Sequence, residues 1–178
     1  MLVTPARGPA EARDNAAFDA LLWSLSRPGL PRTLPEPGEA SIIAALLDRE
    51  CRVHAADPLL IPEIMRTGAE LVDIEHADHV FFGTMTAREP LAQIATGSDL
   101  YPDGGATIIL RARFGFGHTL RLTGPGVDGS ATVQVGGLPD GFWAVRMSRL
   151  RYPMGFDLFL LDGDQVIGVP RSTTVEVL

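Results

Sequence analysis

The chain has 178 residues, 46% hydrophobic and 21% charged, values of a folded globular protein rather than a disordered one. Its formal net charge of −7 argues against a general nucleic-acid binder, which carries a basic face. No apolar run reaches the length of a membrane span, and one domain is the expectation for a chain this long. Residues 1–13, rich in Pro, Gly and Ala, read as a loose arm, leaving 14–178 as a single α/β domain. Asp14 or Asn15 is a candidate cap for a first helix, whose Phe18, Leu21, Leu22 and Leu25 recur at i, i+3, i+4 and i+7 as one buried stripe. Ser26-Arg27-Pro28-Gly29 stops that helix, and the prolines of 30–38 make an extended connector. A second helix is expected over 40–48, a short strand over 51–55 around Val53, and a third helix over 61–67 ending near Gly68.

Residues 70–82 are mixed, with a strand at Val80-Phe81-Phe82. Thr86-Ala87-Arg88-Glu89 has the spacing of a capping box ahead of a short helix that buries Leu91, Ile94 and Ala95. After a loop over 98–105, strands are expected at 106–112 and 119–123, joined through Gly115 and Gly117. Gly124-Pro125-Gly126 turns sharply, and 127–137 is irregular or a weak edge strand. A helix over 139–149 aligns Phe142, Val145 and Arg149. Phe156 to Leu161 is a short, nearly continuous apolar run, as in a strand covered on both faces. Asp162-Gly163-Asp164 is a hairpin turn, and Val166 to Val169 returns as the second strand. Pro170 interrupts the ladder, Arg171-Ser172-Thr173-Thr174 gathers one guanidinium and three hydroxyls, and Val175-Glu176-Val177 alternates like a half-exposed strand. Helices first, then strands interleaved with short helices, favour an α/β fold with a mixed sheet flanked by helices in three layers.

All 15 basic side chains are Arg. Without Lys there is no Schiff-base amine, no P-loop lysine and no amine nucleophile. Any anion held by side-chain cations is held by Arg, whose fork matches phosphate or phosphonate oxygens. Three spots suit such an anion: Gly104 and Gly105 before a strand; Arg121, Thr123, Gly124 and Gly126 after one; and Arg171, Ser172 and Thr173 near the end. Glycines admit a ligand to backbone N–H groups. The competing reading is that these glycines only make turns and the arginines are solvated. His76 and His79, three apart among acidic residues, lack a third ligand of predictable spacing, so an exposed acidic loop is the simpler reading and no metal is expected. His54, in a strand candidate, reads as a satisfied core or edge residue rather than a base, and His118, which could act in acid–base chemistry, has no nucleophile paired with it in sequence. Cys51 is alone, which excludes an intrachain disulfide and disfavours a thiolate zinc site. Residues 1–14 lack the apolar core of a signal peptide, so a cytoplasmic location is expected.

Four segments, 98–107, 120–127, Tyr152-Pro153-Met154-Gly155-Phe156-Asp157 and 169–177, come in that order and at that spacing. Together with the first helix they resemble the PhnH subunit family of the bacterial carbon–phosphorus lyase system, over nearly the whole chain. Met154 stands where a Leu is expected of the family and Ser172 where a Thr is. The resemblance implies a fold similar to PLP-dependent transferases but without PLP or another cofactor, and the absence of Lys agrees with that. It implies a homodimer that joins PhnG, PhnI and PhnJ in phosphonate catabolism. The step implied is formation of a ribose 1-alkylphosphonate 5-triphosphate from ATP and phosphonate, with the later radical cleavage belonging to PhnJ. Two readings stand side by side: a subunit whose Arg121, Arg171, Ser172 and Thr173 hold anionic oxygens, and a structural subunit with a vestigial cleft. No nucleophile or acid–base pair marks the chain as a catalyst by itself.

Overall fold

The computed structural model describes residues 8–178. Helix α1 runs over Pro9–Ser26, with Pro9 in the first turn and Gly8 as its N-cap. Proline suits that position because its missing N–H would have no partner there anyway. Residues 9–13 of the arm expected over 1–13 are thus helical, its first seven residues lie outside the described residues, and neither Asp14 nor Asn15 caps the helix. The chain continues through β1 (Arg32–Thr33), α2 (Ala40–Leu46), β2 (Arg52–Ala55), α3 (Ile61–Thr67), β3 (Glu70–Leu71), β4 (His79–Thr84) and β5 (Thr107–Arg111). It then forms β6 (Arg113–Thr123), β7 (Ala131–Gly136), α4 (Phe142–Arg149), β8 (Asp157–Asp162), β9 (Gln165–Val169) and β10 (Thr174–Val177).

Seven strands make one mixed sheet in the order β1-β9-β8-β5-β4-β2-β3. Strands β3, β2, β4, β5 and β8 pair in parallel, whereas the hairpin β8–β9 and the pair β1–β9 are antiparallel. The central strands read as unbroken apolar runs because both faces are covered. Val80, Phe82, Ile108, Leu110, Leu158 and Leu160 enter one core, and Phe81, Ile109, Phe159 and Leu161 enter the other. Phe81 is wholly buried, and a burial of that kind contributes roughly 1.5–3 kcal/mol.

Helices α1, α2 and α3 cover the second core with Leu21, Ile42, Ile43 and Ile64. The first core is closed differently from expectation. Phe142 and Trp143 of α4 share it with Leu120, Leu122, Val135 and Val175, which come from a separate antiparallel sheet ordered β10-β6-β7. The three layers are thus helices, mixed sheet, and a composite of one helix with a small sheet. Residues 131–136, read as irregular or a weak edge, are the edge strand β7 of that small sheet.

Helix α1 buries Ala17, Ala20, Leu21 and Ser24, while Phe18 and Leu22 are 50% and 54% exposed. The inward face is set by Gly168 on β9: a Cβ there would lie 2.6 Å from the Leu25 nitrogen and 2.7 Å from the Ser24 carbonyl oxygen. Backbone meets backbone at that crossing, which selects small residues on the helix and turns the larger ones outward. The capping box at Thr86 does not form. A 3₁₀ segment, Glu89–Gln93, starts after Arg88 with no side-chain cap, although Leu91 and Ile94 are buried as their spacing implies.

Candidate functional site

The parallel strands β4, β5 and β8 end together at Thr84, Arg111 and Asp162, and a cleft of about 470 Å³ opens there. Crevices outside the carboxyl ends of parallel strands are where open α/β sheets bind ligands. Arg111 is clamped on this rim. Its Nε lies 2.8 Å from Glu39 Oε1, its Nη2 donates to Glu39 Oε2 at 3.1 Å, and its Nη1 lies 3.2 Å from Asp57 Oδ2. The hydrogen bond to Glu39 outweighs partial burial and holds the Arg111 proton more firmly than usual, with Asp57 assisting. A bulge at Gly83 makes room for Asp57: the register of β4 on β5 shifts there, φ is +61°, and a Cβ would stand 2.9 Å from the Asp57 carboxylate. Only glycine adopts that backbone without strain. Arg113, exposed, lines the same cleft. Asp162 accepts the Phe114 N–H at 2.8 Å, tying the end of β8 to the start of β6.

The residues nominated from sequence lie elsewhere, and only some of them come together. Gly105, Arg171, Ser172 and Thr173 meet at the opposite rim, where β5 and β8 begin and β9 ends. Asp157 is the hub. It accepts the Arg171 backbone N–H at 2.7 Å, Nη2 at 2.8 Å and Nε at 3.2 Å. Arg171 Nη1 donates to the Pro102 carbonyl at 2.6 Å and Nη2 to that of Gly105 at 3.3 Å. The Arg171 guanidinium is therefore engaged by protein acceptors on three sides. Gly105 leaves no room for a side chain against Gly155 and Arg171, and Gly124 packs on Ser172, so these two serve close packing of chain on chain.

Thr173 is 1% exposed and its hydroxyl finds no partner among the described residues. Thr123 pairs with Thr174 in the small sheet, and Arg121 crosses the same strand pair to Glu176 at 3.0 Å in an exposed ion pair. Gly104 ends the 3₁₀ turn Pro102–Gly104, and Gly126 lies against Ser26 and Pro28 beyond α1. Of the nine, none lines the Arg111 cleft.

Sequence reasoning missed Arg146. It is wholly buried on α4 and donates to the carbonyls of Thr173 at 3.3 Å, Val169 at 3.2 Å and Pro170 at 2.9 Å. Burial pushes its pKa down to about 10, against the opposing charge of Asp157. A guanidinium fork satisfies several carbonyls of an irregular turn at once. The reading of the 139–149 helix aligned Phe142, Val145 and Arg149, whereas the buried set is Phe142, Trp143 and Arg146. Arg111 and Arg113 were also missed, since only the sheet order brings them to a crevice with Glu39 and Asp57. His76 and His79 fall on a 3₁₀ turn and on β4, and no group of three metal-ligating side chains occurs among the described residues.

A family model described as bacterial phosphonate metabolism protein (PhnH) matches residues 9–176. The chain belongs to the PhnH family. A relative named as a C-P lyase subunit protein, HtxG, of Stutzerimonas stutzeri is 32% identical, with 97% of this chain and 94% of the relative aligned. The PhnH subunit of alpha-D-ribose 1-methylphosphonate 5-triphosphate synthase of Rhizobium meliloti (strain 1021) is 29% identical over 90% of this chain and 89% of its own length. The family resemblance read from segments 98–107, 120–127, 152–157 and 169–177 is thus met by a match across the whole described fold. No helix among the described residues is long and apolar enough to cross a membrane.

Proposed function

We propose that this chain is a subunit of a carbon–phosphorus lyase and takes part in forming a ribose 1-alkylphosphonate 5-triphosphate from ATP and phosphonate. The observation that carries this reading is the family match over 9–176, together with two relatives aligned almost end to end whose names describe subunits of that system. Its partners are PhnG, PhnI and PhnJ, and alone it forms a homodimer, in the cytoplasm. Its mixed sheet covered on both faces is in keeping with a fold like that of PLP-dependent transferases, and a chain without Lys offers no amine for an internal aldimine. The exposed Arg113 beside the strand ends is the cation best suited to meet an anionic oxygen, and Arg121 and Arg171 stand behind it because Glu176 and Asp157 engage them.

The test is growth of a strain lacking this subunit, complemented with the wild-type chain or with Arg113→Ala, on methylphosphonate as the sole phosphorus source. Growth restored by the wild type alone, with Arg113→Ala still recovered in the complex, supports a part in the chemistry. A second reading, a structural subunit with a vestigial cleft, is favoured by the compensation of Arg111 between Glu39 and Asp57. On that reading Arg113→Ala grows like the wild type.

A further inference from the structure

Three of the most exposed large side chains lie together at the rim opposite the Arg111 cleft. Leu100 is 84% exposed, Tyr101 70% and Tyr152 73%. They stand on two tight turns that precede β5 and β8. In the first, Ser98 and Tyr101 exchange both backbone hydrogen bonds, at 3.0 and 3.2 Å, and Ser98 Oγ also accepts the Tyr101 N–H at 3.1 Å. In the second, Arg151 and Met154 exchange theirs at 3.2 and 2.8 Å. Each pair closes a two-residue tip, Asp99-Leu100 in one and Tyr152-Pro153 in the other.

The two turns are tied to each other at tip and stem. Arg151 Nη2 donates to both oxygens of Asp99, at 3.0 and 3.3 Å. The Gly155 N–H donates to the Thr96 carbonyl at 2.8 Å. Leu100 follows Asp99 and Tyr152 follows Arg151, so the ion pair sets the two apolar side chains side by side. An exposed ion pair adds little stability, and its effect here is geometric. A patch already held in shape loses little entropy when a partner covers it. Single apolar residues scattered on a surface need no explanation, whereas a contiguous set does. These three expose on the order of 400 Å², since an aromatic side chain carries about 150–250 Å². That is roughly half of the ~800 Å² that one partner gives to a standard interface. It suits the anchor at an interface centre, where aromatic side chains concentrate inside a polar rim.

Shape and charge decide what covers it. Asp99 and Arg151 neutralise each other, so the complement of this knob is an uncharged, apolar recess with acceptors for two Tyr hydroxyls. A second copy does not supply one. An isologous pair apposes the same patch on both copies, and two knobs would meet tip to tip. Seating the knob in a cleft of another copy is a head-to-tail contact, which runs on into a filament unless its rotation closes a ring. A lipid surface is disfavoured by the net charge of −7, because peripheral anchors pair apolar groups with basic ones. We infer that the knob of Leu100, Tyr101 and Tyr152 is the anchor by which a different polypeptide, bearing an apolar recess, grips this chain. That this polypeptide is another carbon–phosphorus lyase subunit rests on the functional reading above. None of the three residues lines the Arg111 cleft, so docking at this rim leaves that crevice open.

The experiment co-expresses this chain with PhnG, PhnI and PhnJ and recovers the complex through a tag on PhnI. The wild type is compared with the double variant Leu100→Ser, Tyr152→Ser and with Leu59→Ser, a control 85% exposed on the turn after β2. Both variants are expected to keep the wild-type unfolding midpoint and, alone in light scattering, the wild-type mass. The double variant is expected to be depleted from the complex at least tenfold, and the control to be retained. A double variant retained like the wild type overturns the inference, as does equal loss of the control. A change in the double variant's own mass would assign the patch to a second copy. Sedimentation of the wild type alone with phosphatidylglycerol vesicles would assign it to a lipid surface; either result refutes the inference. All these outcomes leave the functional reading standing, whereas a wild-type chain absent from the complex overturns both together.

Discussion

Asp157→Ala probes the hub that joins β8, the 169–173 turn and the loop ending at Gly105. The carboxylate takes three N–H groups of Arg171, at 2.7, 2.8 and 3.2 Å, and the two side chains are only 21% and 17% exposed. Removing one partner of a pair buried to that degree leaves a guanidinium with no countercharge, a loss of about 3–5 kcal/mol. Part of this is the unpaired charge, so the double variant Asp157→Ala, Arg171→Ala is expected to lose less than the sum of the singles. Two charge-assisted side-chain hydrogen bonds at about 1.5–3 kcal/mol each bound the coupling energy, and about 2–3 kcal/mol is expected after partial solvation. Urea unfolding of the four proteins at constant slope measures it. In a thermal scan the Asp157→Ala midpoint falls by about 10 °C, since each kcal/mol moves a chain of this size by roughly 2–4 °C. A coupling below about 0.5 kcal/mol, or an Asp157→Ala protein within about 1 kcal/mol of wild type, would refute the assignment of this cluster as the clasp of the fold.

Gly168→Ala drives a methyl group onto the backbone of α1 and should destabilise by about 1–3 kcal/mol, read by the same unfolding experiment. Arg146→Met withdraws the donors from three carbonyls and is expected to cost about 2–4 kcal/mol; faster hydrogen exchange at the Thr173 amide, bonded to Pro170 at 2.9 Å, reports the loosened turn. Burial lowers the His79 pKa below its ordinary 6.5, with Asp78 and Asp48 opposing. Below pH 6.5 the unfolded chain then binds the proton first, so this contribution to stability is full above 6.5 and is lost as pH falls through the folded pKa. His79→Asn should flatten that part of the stability–pH curve, as measured by urea midpoints between pH 5 and 8.

The β8–β9 hairpin was legible because an apolar run, an Asp-Gly-Asp turn and a β-branched return leave few alternatives. The parallel strands around Val80 to Phe82 and Ile108 to Leu110 were legible for the same reason. Helix α1 was misread at both its start and its face. Pro9 and Gly8 have loop composition yet supply the first turn, and the packing of α1 on Gly168 reverses the roles of Phe18 and Ala17. Hydrophobic spacing reports which residues prefer burial, not how close the neighbouring backbone stands. The second sheet was hidden because a strand's pattern does not say which sheet it joins: β5 and β6 are separated by Ala112 alone yet belong to different layers. The 169–173 segment was singled out as a candidate anion site, and its guanidinium faces Asp157, a partner fourteen positions away that only the fold brings near. Arg111 carried no local signal, because its partners Glu39 and Asp57 come from the start of α2 and the loop after β2.

Strand β1 has β9 as its neighbour in the sheet, and α1 lies across β9 at Gly168. Protein synthesis delivers those pieces far apart in time. The first helix leaves the ribosome long before its landing strand exists, while β2, β3, β4 and β5 can already pair beside one another. The end of α1 around Ser24 and Leu25 therefore waits for the β8–β9 hairpin to emerge, while α2, which shares a core with Leu21, can pack on the helix earlier.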